Sequence, residues 1–446
     1  MTAIAFKVFV AVACGLLGAR LLKSPALDGW SDRGFIWRIA ALQLALGLGL
    51  FAALYVLGNA QITSDVPAYY LPAARSALSG KLAYRDFSTS YSPLFPYLGA
   101  CLVALWNSGK VFALFAILVG VVALLLWHLA AHACFGRELA RRASVLYATS
   151  GHVLVQSLLG TNQIWIACLL GASVLLLVRG RELGSGVTQA LALCATKFLA
   201  VLFWPMLWIG AARRGRWLGG AALLSGLCFA LFAACGADPL EPLHAEGDLI
   251  SSGNLPYLLG PVTLLGGASR QLVLRLFDGA TIAALSIVAA WIYWRTRALP
   301  PLRRPPTLFA AIGLVAAVFL IASKKSFTGY AIFALYPMIT VAVGAFARTG
   351  ALVGFLLVLN VLLAVEPSVW FYLHGEGLGL DEWMRRSGLA RVGPLVVLDL
   401  ALIACYLLIA GQSVRALARV TAEDGGRQSR CSSAAELVRS VSVGQG

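Results

Sequence analysis

Arg38–Val66 reads RIAALQLALGLGLFAALYVLGNAQITSDV. Positions 38–58 form a long, predominantly apolar run, and about 17–25 such residues suffice to carry a helix across a bilayer. Directly after it the chain meets an acid, Asp65. The recurrence of runs like this one decides the fold. Others lie near 5–22, 111–131, 143–159, 163–178, 217–235, 271–294, 307–323, 328–346, 350–366 and 393–412. The chain of 446 residues is 60% hydrophobic and 12% charged, against about 25% charged in soluble domains, and its mean hydropathy is +0.84. The expected fold is therefore all-α, a polytopic transmembrane helix bundle of about 11–13 spans. Near its start the first run carries one lysine, Lys7, and it has no clear small-x-small cleavage site, so it reads as a retained span.

Charge sets the orientation of the bundle. A net charge of +16 in a soluble protein suggests nucleic acid; here it reflects loop arginines that fix topology, and no nucleic-acid partner is expected. Clusters at Arg20, Lys23, Arg33 and Arg38, at Arg137, Arg141 and Arg142, at Arg179 and Arg181, at Arg213, Arg214 and Arg216, at Arg295, Arg297, Arg303 and Arg304, at Arg348, and at Arg415 and Arg419 are assigned inside. Loops 59–110, 236–269 and 367–392 then fall outside, and 236–255 fits with Asp238, Glu241, Glu246 and Asp248 and no Lys or Arg. Two consequences follow from this bookkeeping. The apolar piece 93–107 is not a full crossing, or every later basic loop would flip outward. Segment 186–212 starts and ends inside, so it is a tight hairpin with its turn near Ala195–Ala200, and Lys197 lies outside. Lys324 and Lys325 are external by the same count, against the orientation rule, which invites a functional reading. Residues 1–412 read as one integral-membrane domain and 413–446 as a cytoplasmic disordered tail.

The nine cysteines sit mostly in apolar runs and read as small buried hydrophobes. No P-loop, Rossmann fingerprint or HExxH occurs. His152 and His374 have no companions at metal spacing; no cofactor is expected, and a divalent metal has no ligand set to support it.

Several motifs in order carry a resemblance. The span is followed by Asp65, then YYLPAARSALSGKLAY (69–84) and YSP (91–93). GTNQIWIACLL (160–170), ATKFLAVLFWPML (195–207), SSGNLPYLLG (251–260) and SKKSFTGYAIFALYP (323–337) follow. Together they resemble GT-C glycosyltransferases, in particular the polyprenyl-phosphate-mannose-dependent mannosyltransferase branch, over roughly residues 38–346. The chain departs from that pattern where Phe198 follows Lys197 in place of a proline, and where the late turn lacks histidines. The resemblance implies a multi-pass plasma-membrane (bacterial inner-membrane) enzyme with its site on the extracytoplasmic face. It would move a sugar, mannose on this branch, from a polyprenyl-phosphate donor to a glycolipid, glycan or protein hydroxyl, with the first-loop acid as base.

The residues can be weighed on their own chemistry. A neutral hydroxyl is a poor nucleophile, so transfer needs a base beside the acceptor. Asp65 is the first candidate, with N-capping of a helix from about Pro67 as the plainer role. Asp86 is its rival, with an ion pair to Arg85 as the alternative. A phosphate leaving group calls for cations: Lys197, Lys324, Lys325 and Arg75. Their plainer roles are snorkelling, capping of span 307–323 and the wet face of an interfacial helix over 67–79 that Gly80 ends. Asn162, Gln163 and Asn254 are candidates for sugar hydroxyls, or simply turn formers. Tyr69 and Tyr91 would stack on sugar or prenyl groups, or join an interfacial aromatic belt. Asp399, inside a span, needs a partner. The rival classes are a multi-span transporter or flippase, for which the paired halves and broken helices of such folds are not evident, and a noncatalytic assembly subunit.

Overall fold

The computed structural model describes residues 2–24, 29–242, 250–265, 269–300, 304–374 and 389–443. Among these the protein is all-helical apart from one isolated bridge, Ala83–Phe87. Nine of the described helices are long and apolar enough to cross a membrane, so the chain is a polytopic helix bundle. α1 is Thr2–Leu22. α2, Asp32–Phe51, runs on through a π-helical stretch, Ala52–Leu57. Between α2 and the next long helix lie a π-helical turn, Val66–Tyr70, then α3 (Leu71–Leu78) and α4 (Phe95–Leu105). The helix expected over 67–79 is therefore present as the π-helical turn and α3, and Gly80, at φ +82°, follows its end. α4 has 11 residues, a length of about 16 Å, roughly half of a bilayer core. It does not span, as the charge count required.

α5 is Lys110–Phe135. The apolar run 143–159 is not one helix. It is split into α6 (Arg137–Ala148) and α7 (Gly151–Leu158), with the Ser150 hydroxyl accepting from the Val153 amide to start α7. The break has a packing cause: a Cβ on Gly151 would lie 2.4 Å from Ala11 Cα, so α1 crosses directly against it. α8, Gln163–Val178, follows, then α9, Glu182–Ala195. The chain turns at Thr196 and Lys197 into a 3-10 helix, Phe198–Phe203, and α10, Trp204–Gly210. The expected hairpin over 186–212 is thus two unequal arms about that break. α11 (Arg214–Ala234), α12 (Leu255–Leu265), α13 (Arg270–Thr296) and α14 (Arg304–Ala322) come next. A 3-10 stretch, Thr328–Ala334, leads into α15, Leu335–Ala345. α16 is Thr349–His374 and α17 is Leu389–Val443. Residues 413–443 continue α17, where the composition had suggested a disordered tail; no proline follows Pro394 to stop the helix. The expected external acids Glu246 and Asp248 lie outside the described residues.

Every residue from Thr307 to Ala317 and from Thr328 to Val343 is buried, so α14 and the 328–345 arm form the centre. α5, α8 and α17 pack against this centre. The rim is apolar outward: Leu223 of α11 and Leu276, Ile282 and Ile287 of α13 are all more than half exposed. Large exposed aliphatics on helix after helix mark a lipid-facing belt. Arg75 and Arg85 lie on the loop between α2 and α5, whereas the arginines assigned inside gather at the other end. There Arg304 donates to the Ala211 carbonyl, Arg142 to the Thr349 hydroxyl, and Asp32 pairs with Arg137 and Arg141.

Candidate functional site

The opposite end of the bundle brings several helix breaks together. After α2, the Ser64 hydroxyl donates to the Leu159 carbonyl at 2.7 Å and the Tyr55 hydroxyl to the Leu158 carbonyl at 2.8 Å. These bonds use carbonyls left unpaired at the end of α7, and they hold Asp65 beside the turn Gly160–Asn162. Gly160 sits at φ +68°, and a Cβ there would lie 3.0 Å from the Ala113 nitrogen, so only glycine lets this turn close onto α5. A second graft runs from the loop to the hairpin. The Leu94 amide donates to the Cys194 carbonyl at 2.9 Å and the Ser92 amide to the Thr196 carbonyl at 3.3 Å. The loop end is thereby paired to the break between α9 and the 3-10 arm, and Tyr91 is brought against Lys197.

The resulting chain of contacts is continuous. The Tyr91 hydroxyl donates to Asp65 Oδ2 at 2.7 Å. Burial, then the neighbouring Tyr70 and Asp65, pushes the Tyr91 phenol well up, so it stays a donor. Lys197 Nζ lies 4.7 Å from the Tyr91 ring centroid and 5.5 Å from that of Tyr330, and it donates to the Tyr330 hydroxyl at 3.4 Å. Desolvated cation–π contacts of this kind are worth about 2 kcal/mol. Tyr70 braces the group edge-on to Tyr91 and Phe95 at 4.8 Å each, and its hydroxyl donates to Asn162 Oδ1 at 3.2 Å. Asp65 makes no capping bond to the turn it precedes; its carboxyl is directed to Tyr91 instead.

Beside this group lies a cavity of about 430 Å³. Lys197, Lys325, Ser90 and Ser286 form its polar part, and Leu202, Met206, Leu285, Val315 and Phe319 are among its apolar walls. Two ammonium groups are therefore set into a greasy slot walled by the hairpin, α13 and α14. Such a slot suits an amphiphile with an anionic head and a hydrocarbon tail.

The other sequence candidates fall elsewhere. Asp86 is bound by Arg85 through a 2.9 Å ion pair and accepts the Leu82 amide at 2.7 Å. The Arg85 guanidinium and that amide hold its carboxyl down at about 2, the ion-pair role weighed for it. Arg75 donates twice to Asn107 Oδ1 within the loop. Lys324 forms a 2.7 Å ion pair with Asp278 and donates to the Leu274 carbonyl; Lys325, its neighbour, faces the cavity. Asn162 is fully buried; it binds Tyr70, and its amide donates to the Thr196 carbonyl at 3.4 Å. Gln163, one residue on, is buried, and its Oε1 makes no hydrogen bond among the described residues. Asn254 is a staple: it donates to the Ser251 and Ser326 carbonyls and accepts the Tyr257 amide. Tyr69 is 56% exposed and lies away from the group.

Tyr70 reads from the sequence only as one of several loop tyrosines that could stack on sugar or prenyl groups, and Tyr330 is not singled out there. Tyr330 is 133 residues from Lys197, and no spacing signal links the two. Among the described residues no group of three or more His, Cys, Asp or Glu is placed to hold a metal, and every described cysteine is free. No protein-family model and no curated protein matches the chain.

Proposed function

We propose that the protein is a membrane glycosyltransferase that moves a sugar, mannose first among candidates, from a polyprenyl-phosphate donor to a hydroxyl of a glycolipid, glycan or protein acceptor outside the cytoplasm. The observation that carries this reading is the Asp65–Tyr91–Lys197 chain set beside a cavity with a two-lysine head and apolar walls.

The chemistry divides among these residues. The donor's phosphate lies on Lys197 and Lys325 and its prenyl chain in the slot between the hairpin, α13 and α14. The acceptor oxygen attacks the anomeric carbon; its proton passes to Asp65, held in place by the Tyr91 hydroxyl. The bond from the anomeric carbon to the phosphate oxygen breaks, and the polyprenyl phosphate leaves with the electron pair. The two ammonium groups stabilise the charge developing there. One displacement inverts the anomeric centre.

A second reading, a flippase for a lipid-linked sugar, is favoured by one observation: Lys7, Glu366 and Asp399 are ionisable groups inside spanning helices, as in ion-coupled carriers. Radiolabelled polyprenyl-phosphate-mannose offered to proteoliposomes with a lipid acceptor separates the two. The glycosyltransferase reading expects labelled acceptor with inverted anomeric configuration and released polyprenyl phosphate. Transbilayer movement of intact donor, without cleavage, would establish the flippase instead.

A further inference from the structure

A second polar cluster is buried inside the bundle, and the site above does not use it. Glu366 of α16 and Asp399 of α17 are both fully buried, and they are electrostatic neighbours. Among the described residues none of their four carboxyl oxygens makes a hydrogen bond of normal geometry. The hydroxyls of Ser252 and Thr328 face the Glu366 carboxyl. Both hydroxyls are at least 98% buried and also lack a normal hydrogen bond. The backbone presses on the same spot: Gly253, at φ +82°, would place a Cβ 2.9 Å from Thr328 Cγ2 and 3.6 Å from Glu366 Oε2. From α1, Lys7 faces Glu366 and donates to the Ser368 hydroxyl at 2.6 Å. His152 of α7, fully buried with Lys7 among its neighbours, counts as neutral, and Tyr406 of α17 supplies a phenol facing both acids.

Among the described residues the charge count does not close. Two carboxylates and one ammonium leave one negative charge on two fully buried acids, and an uncompensated buried charge is not sustained. We infer that Glu366 and Asp399, with Ser252 and Thr328, form a binding site for one unit of positive charge, a shared proton or a single alkali cation. Carboxyl and hydroxyl oxygens are the donors that hard monovalent ions and protons both take. The site abuts the segment whose Ser251 amide donates to the Lys324 carbonyl at 2.7 Å and whose Asn254 holds the Ser326 carbonyl at 3.0 Å. Its occupancy therefore bears on the turn that carries Lys325 and Tyr330.

Charge balance makes an unusual prediction. Neutralising either acid replaces the bound charge, so Glu366→Gln and Asp399→Asn each fold stably. The double variant strands Lys7 and is less stable than either single one. The test uses the full chain in lipid nanodiscs, with thermal unfolding in sodium chloride against equal choline chloride and infrared spectra of the carboxyl stretch. A protonated-carboxyl band in the wild type that either single variant removes establishes the proton. A sodium-dependent rise in melting temperature, with the sodium midpoint weakened at least about tenfold in each single variant, establishes the alkali cation. Ser252→Ala serves where an acid variant does not fold, and it should shift the band or weaken sodium likewise. The inference is overturned if the wild type shows neither band nor sodium response, or if either signal survives unchanged in all these variants.

Discussion

At the scale of single residues, the account rests on how Tyr91 joins two groups that the sequence keeps apart. Its hydroxyl is bonded to Asp65 and its ring lies under the Lys197 ammonium, so the two halves of the side chain are separable by mutation. Tyr91→Phe removes the hydrogen bond and keeps the ring. We expect transfer to fall about tenfold with the apparent affinity for donor little changed, measured by initial rates against donor concentration. Lys197→Met removes the charge at the cavity, and a loss of about 10²–10³ in turnover is expected, partly restored by Arg. Asp86 should behave differently. Its carboxyl is held down at about 2 from an ordinary 3.8 by Arg85 and the Leu82 amide. Its contribution to ordering the loop is therefore complete above pH 3.8 and lost as pH falls through about 2. Asp86→Ala should speed hydrogen exchange at the Leu82 amide at neutral pH while leaving transfer nearly intact; abolished transfer would place Asp86 in the chemistry.

At the scale of elements, the site is made where regular helices stop. The Gly160 turn and the Thr196–Lys197 break each expose backbone groups that a neighbouring segment satisfies, and Asp65 directly precedes the π-helical turn at Val66–Tyr70. Gly160→Ala tests this dependence. It forces a left-handed non-glycine residue against the Ala113 nitrogen, and a loss of about 1–3 kcal/mol is expected, read as a lower melting temperature accompanied by reduced transfer. Much of the element map was legible beforehand, because spans announce themselves by hydropathy and the loops by arginine. The short α4 and the hairpin arms at 186–212 came from charge bookkeeping alone. What stayed hidden was local or long-range: the split of 143–159, whose cause is α1 crossing at Gly151, and the meeting of Tyr91, Lys197 and Tyr330. Neither leaves a periodic trace. Asp399 read from sequence as an acid lacking a partner, and its neighbour Glu366 was masked by its place at the end of an apolar run.

At the scale of the whole molecule, the arginine clusters around Arg142 and Arg304 mark one end and the Asp65–Lys197 group the other. If the arginine end is cytoplasmic, then in a cysteine-free background Lys81→Cys should react with an impermeant maleimide on intact cells, whereas Arg216→Cys should react only after permeabilisation. The reverse pattern would put the site in the cytoplasm and exclude an extracytoplasmic acceptor. Whether Asp65 is the base of a sugar transfer is decided by comparing transfer from radiolabelled polyprenyl-phosphate-mannose by wild type and by Asp65→Asn at equal folded amounts. Wild type should transfer, and the variant should fall by about 10²–10⁴ with donor binding retained. Undiminished transfer by Asp65→Asn would rule the base role out.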